Sequence, residues 1–158
     1  MESRLRILCV AVALVTIATA ILPVARAQSA SSYDAAVSQT VSTTCGNGEP
    51  VALTGNLHFQ YSVTADPGGG NRYEIAITSR FSGVGQTSQA SYAGNGSYGY
   101  GFTTTDSPAQ VTLQLSTPLT SEGSAPSLML NQTVNITVDT AGNIGVSLGS
   151  ASTSCAGS

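Results

Sequence analysis

Over residues 51–64 nonpolar and polar positions alternate: Val51, Leu53, Leu57, Phe59, Tyr61 and Val63 share one face, and Thr54, Asn56, His58, Gln60, Ser62 and Thr64 the other. Successive side chains of a strand point to opposite faces, so the pattern predicts a half-buried strand with its odd-numbered residues inward. The strand is long, and Gly55 is where a bend or bulge is expected. The segment ADPGGGN at 65–71 then turns the chain. Residues 72–81 repeat the alternation through Tyr73, Ile75, Ile77 and Phe81, which predicts a hairpin. A register pairing Thr64 with Arg72 places His58, the chain's single histidine, opposite Thr78, with Ala76 and Arg80 on its diagonals.

A weaker strand is expected over 86–93, followed by a turn at 94–97 and a short strand carrying Tyr98, Tyr100 and Phe102. Residues 110–117 alternate through Val111, Leu113 and Leu115, and residues 128–139 through Leu128, Leu130, Val134, Ile136 and Val138. TAGN at 140–143 turns the chain into Ile144, Val146 and Leu148. Past the N-terminal run no apolar period of 3.6 persists. About seven antiparallel strands separated by turn residues predict one all-β domain, a barrel or a sandwich.

The N-terminus reads differently. Arg4 and Arg6 precede an apolar run that ends near Val24, and Ala25-Arg26-Ala27 follows. Basic start, apolar middle and A-x-A end predict a secretory signal peptide over 1–27, cut before Gln28, and Cys9 leaves with it. A spanning helix is the alternative, which Pro23 and the A-x-A site disfavour. The expected organisation is leader 1–27, flexible segment 28–44, all-β domain 45–155 and tail 156–158. Export to the extracellular space, periplasm or cell surface makes Cys45 and Cys155 an expected disulfide, tying the entrance of the first strand to the exit of the last and favouring a barrel.

Charge narrows the partners. After cleavage two arginines, Arg72 and Arg80, face seven carboxylates and no lysine, a formal charge of about −5. Two cations do not neutralise a row of phosphates, so neither nucleic acid nor an anionic membrane surface is an expected partner. With the leader removed, no stable membrane insertion is expected.

The segments CGNGEPVALTGNLHF, TADPGGGN, SGVGQTS and NQTVNITVDTAGNI, with a closing cysteine, resemble those of a family of small exported, mainly bacterial, all-β proteins. The similarity runs from about Thr44 to Cys155. It implies a V-x-L-x-G-x-L-H strand and paired terminal cysteines, and no activity attaches to it. Relatives carry an H-x-H-like pair in the second strand, where Tyr73, Glu74, Ile75 and Ala76 stand in this chain. The resemblance therefore implies no metal site.

Little else points to catalysis. His58 has no carboxylate or thiol among its expected neighbours, so it reads as a polar-face residue. No G-x-S-x-G elbow occurs, the seven carboxylates form no acid pair, and the turn after Asp139 lacks the alternating ligands of a calcium loop. No cofactor or metal is expected. GSYGYGF at 96–102 alternates aromatics with glycine, either as a core-facing strand or as ring faces open to a sugar or an adhesive contact. His58, Tyr98, Tyr100 and Phe102 are the candidate binding surface. Asn95, Asn131 and Asn135 head glycosylation sequons, the last two on the expected solvent face. The reading is a non-enzymatic extracellular interaction module whose partner is a protein, a glycan or a small apolar ligand. Its alternatives are a small barrel carrying an apolar ligand and a strand-exchanging subunit of a surface assembly.

Overall fold

A computed structural model describes residues 29–45, 48–141 and 143–156. The expected leader and its cleavage site lie outside the described residues. Within them the chain forms seven strands: β1 Ser29–Ser42, β2 Pro50–Ala65, β3 Asn71–Gly85, β4 Ser91–Thr104, β5 Ala109–Ser121, β6 Leu128–Val138 and β7 Ile144–Cys155. Each pairs antiparallel with the next, in spatial order β1 to β7, and the meander curls into a nearly closed barrel.

Two-residue alternation drives the curl. Away from the hairpin turn most odd positions of β2 and β3 are buried and even ones are turned outward. The inward side chains Phe59, Tyr61, Ile75 and Ile77 meet Leu113, Leu130 and Ile136 in one continuous core. The expected hairpin register is found, with Thr64 opposite Arg72 and His58 opposite Thr78.

Three local expectations are corrected. Residues 28–44 were expected to be flexible, but 29–42 form β1, paired with β2 along its whole length. Val37 and Val41 bury their side chains there, while Ser, Thr, Gln and Ala fill most other slots, so the alternation is too faint to read from sequence. Of the weak strand expected at 86–93 only residues 91–93 are extended, 86–90 forming the β3–β4 turn, and they run straight through the expected turn at 94–97 into the short strand at 98–102 as a single strand, β4. Gly94 is needed for close approach, since a Cβ there would run into the Pro118 carbonyl. Gly55 likewise causes no break. It pairs with Phe81 in unshifted register, and a Cβ would meet the Arg80 carbonyl and the Phe81 ring.

Closure is uneven around the barrel. The β4–β5 ladder consists of Tyr92–Ser121 and Ala93–Thr120, and it stops short of Pro118, which has no N–H to donate. Beyond that point side chains take over. The Tyr98 hydroxyl lies 2.6 Å from Thr117 Oγ1, and the Tyr100 hydroxyl donates to the Gln114 carbonyl at 3.1 Å. An odd number of meander strands brings the first and last together in parallel, and β1 meets β7 through one parallel bridge, Thr43–Thr153. The Thr153 hydroxyl donates to the Ser42 carbonyl at 3.0 Å, and beside it the Cys45–Cys155 disulfide joins Cα atoms 5.3 Å apart. One end of the barrel is thus pinned, and beyond it no further β1–β7 bridge forms among the described residues.

Candidate interaction surface

The outer face of β1–β4 is built from the even residues of β1, β2 and β3. Across it Asp34, His58 and Thr78 stand side by side in the register. His58 Nδ1 donates to the Asp34 carboxylate at 2.8 Å, and both side chains remain well exposed, at 37% and 61%. The carboxylate that sequence reasoning did not find for His58 comes from β1, the strand it did not find. The pair holds the ring through Nδ1 on an exposed face, an oriented imidazole for a partner. Among the described residues no hydroxyl bonds to the ring. An exposed pair of this kind contributes little to stability. His58→Gln is expected to leave the unfolding free energy from urea titration unchanged to within about 0.5 kcal/mol.

The three aromatics are not on this surface. The β3–β4 register matches odd with even residues, so Tyr98, Tyr100 and Phe102 point inward and pack, half-buried, against the core. Phe102 stacks on Tyr73 with centroids 4.9 Å apart. Burial, and then the neighbouring Tyr98, push the Tyr100 phenol above its ordinary range. His58 and the aromatics therefore occupy opposite faces of the sheet, and the single contact surface expected from all four is not formed. What β4 gives the outside is its glycines. With Gln60, Ser62, Glu74 and Ala76, Gly99 and Gly101 line an open trough of about 530 Å³.

The outer face of β5 and β6 is an uncharged ladder. Thr112 donates to Asn135 and Ser116 to Asn131, each at 2.8 Å, and Gln114 Nε2 donates to Thr133 at 2.9 Å. Both of these sequon asparagines thus lie on the solvent side, as does Asn95 on β4. Asp139 closes the β6–β7 turn, its Oδ1 accepting the N–H groups of Ala141 and Asn143 at 2.9 and 2.8 Å. That side chain does the work of a turn residue rather than of an ion ligand. Among the described residues no three of His, Cys, Asp and Glu converge on one point.

At the pinned end a cleft of about 540 Å³ lies beside Cys45, lined by Glu49, Ser88, Tyr92 and Glu122. The Glu49 carboxylate accepts the Ser88 hydroxyl, the Ser88 N–H at 2.8 Å and the Thr87 N–H at 3.0 Å, and so holds the β3–β4 turn. These bonds, the Ser88 hydroxyl foremost and then the Ser88 N–H, hold its carboxyl below the ordinary value of 4.5 against the opposing effect of desolvation. A carboxyl lowered on folding adds stability that is present above the unfolded pKa and is lost as pH falls through the folded one. The urea midpoint of the wild-type chain is therefore expected to fall more steeply than that of Glu49→Gln as pH is lowered through about 4. Parallel curves would assign the turn no role in acid stability.

Compared with protein-family models, with curated proteins and with solved structures, the chain matches none of them.

Proposed function

We propose that the mature chain is an exported, non-enzymatic interaction module that works through its outer surface and strand edges. The filled interior carries this reading. Phe59, Ile77, Leu115, Leu130 and Ile136 are all at most 1% exposed and belong to one cluster. A carrier of an apolar ligand needs its walls to stand apart around roughly 300–1,000 Å³. The outer faces, by contrast, offer what a partner contacts: the oriented His58 ring, the glycine trough and hydrogen-bonded Ser, Thr, Asn and Gln ladders. The disulfide is compatible with an oxidising compartment, which supports export.

The test has two arms. Titration with a fluorescent fatty acid is expected to give no saturable uptake, and stoichiometric uptake reversed by unlabelled fatty acid would replace the module with a carrier. Labelled protein applied to arrays of extracellular proteins and glycans is expected to bind saturably to a defined member. Featureless binding across both arrays would remove the reading.

A further inference from the structure

We propose that the opening between β1 and β7 accepts an extended segment of a partner protein as an eighth strand, antiparallel to both of its neighbours. The proposal rests on the interaction-module reading and gives that module its site. Strand parity is the first argument. β1 and β7 run parallel, and among the described residues Thr43–Thr153 is the one backbone bridge between these edges. A strand laid between them in the opposite sense is antiparallel to each and completes an all-antiparallel closure, the better-bonded arrangement per residue. Above the pinned end, residues 29–41 of β1 and 144–152 of β7 each bond to one neighbouring strand, β2 and β6 respectively. The Gln39 side chain, bonded to Gln132 Oε1 at 2.7 Å, marks the floor of the opening.

The core is uncovered at the same place. Tyr33 and Leu148 are two of the three large apolar side chains that are exposed among the described residues, at 37% and 36%. Both belong to the inner face. Tyr33 leans on the buried Phe59 ring, with centroids 6.2 Å apart, and Leu148 is paired with the fully buried Val134. They are open to water because the inner face has no strand beside them, one on each flank of the gap. Edge protection is also lacking. Lysine, proline and inward charges are the usual guards of an edge. β7 has no charged residue and no proline, and β1 has only Asp34, which is turned outward to His58.

These features define the occupant. A second folded copy is unsuited, since each of its strands already spends at least one edge on a neighbour, whereas the gap has two edges to satisfy. An unpaired segment bonds to both, in the manner of strand addition. Its inward side chains alternate and are apolar, to cover Tyr33, Val146 and Leu148. Its outward side chains are uncharged or basic, because Asp34 stands on the rim and the domain carries an excess of carboxylates.

The probe is a soluble synthetic peptide alternating valine with threonine, with lysine at each end, titrated against the purified exported chain. Hydrogen exchange of β1 and β7 amides is expected to slow at least about tenfold at saturation, and Tyr33→Lys/Leu148→Lys to weaken binding at least about tenfold with an unchanged urea midpoint. Protection confined to other strands, or equal affinity of the variant, overturns the proposal. Edges already protected in the free chain overturn it too, by assigning the gap to the chain's own residues. If the peptide fails while labelled protein still binds its array target, the acceptor falls and the module stands; if both fail, both fall.

Discussion

Replacing Cys45 and Cys155 together with alanine lowers the stability of the domain by about 4 to 5 kcal/mol. The two residues are 110 positions apart, so the bond removes from the unfolded chain the freedom of a loop that spans nearly the whole domain. Location adds to the effect. The bond stands beside Thr43–Thr153, the one backbone bridge between the barrel's edges among the described residues, and without it the pinned end keeps that bridge and the Thr153–Ser42 hydrogen bond. A domain of this size has a total stability of about 5 to 15 kcal/mol, so the variant is left marginal, and its unfolding is best followed in sulfate, which strengthens apolar burial. The urea midpoint falls, and the slope of the transition steepens, because the uncrosslinked unfolded chain exposes more surface. A loss below about 1 kcal/mol would mean that β1 and β7 hold together without the bond and that the seam is stronger than its single bridge implies.

Much of this architecture is legible in the chain because period-two patterning carries register as well as strand identity. β2 and β3 alternate large apolar with polar residues over most of their lengths, and one turn between them suffices to place His58 opposite Thr78. β1 is illegible for the converse reason. Its inward slots hold Tyr33, Ala35, Val37, Gln39 and Val41, too few of them large to stand out against serine and alanine. With β1 went Asp34, and with Asp34 the one partner that orients His58. In β4 the glycines 94 and 96 imitate a turn; what they supply is room, Gly94 against the Pro118 carbonyl and Gly96 against the Tyr98 ring. The seam between β1 and β7 is a property of strand number and closure, and no local window of sequence contains it.

Gln132 is visible in the sequence as a polar interruption of the inward series Leu128, Leu130, Val134, Ile136, and its replacement by leucine is expected to cost about 2 kcal/mol. The side chain is 1% exposed, and it sits where the β6–β7 register slips between Gln132 and Val134. A bulge leaves backbone groups without ladder partners. The Gln132 amide nitrogen meets that need, donating toward the carbonyls of Thr133, Gly149 and Ser150 at 3.1, 3.2 and 3.4 Å, while its oxygen accepts from Gln39 Nε2 at 2.7 Å. Leucine fills the same slot with apolar atoms, which offsets part of the loss, but it strands the bulge carbonyls and leaves Gln39 half-buried with no acceptor. The apolar gain is smaller than the sum of those orphaned groups, so the net sign is destabilising. Gln39→Leu in the same chain removes one orphan, and the double variant is expected to recover about 1 kcal/mol relative to Gln132→Leu alone; with the Gln39→Leu single variant this completes a double-mutant cycle whose coupling reports the bond between the two glutamines. A neutral Gln132→Leu would mean that water reaches the bulge from the open seam and satisfies its carbonyls. Absence of coupling between the two glutamines would mean that the bond across the gap adds nothing to the hold of β1 on β6.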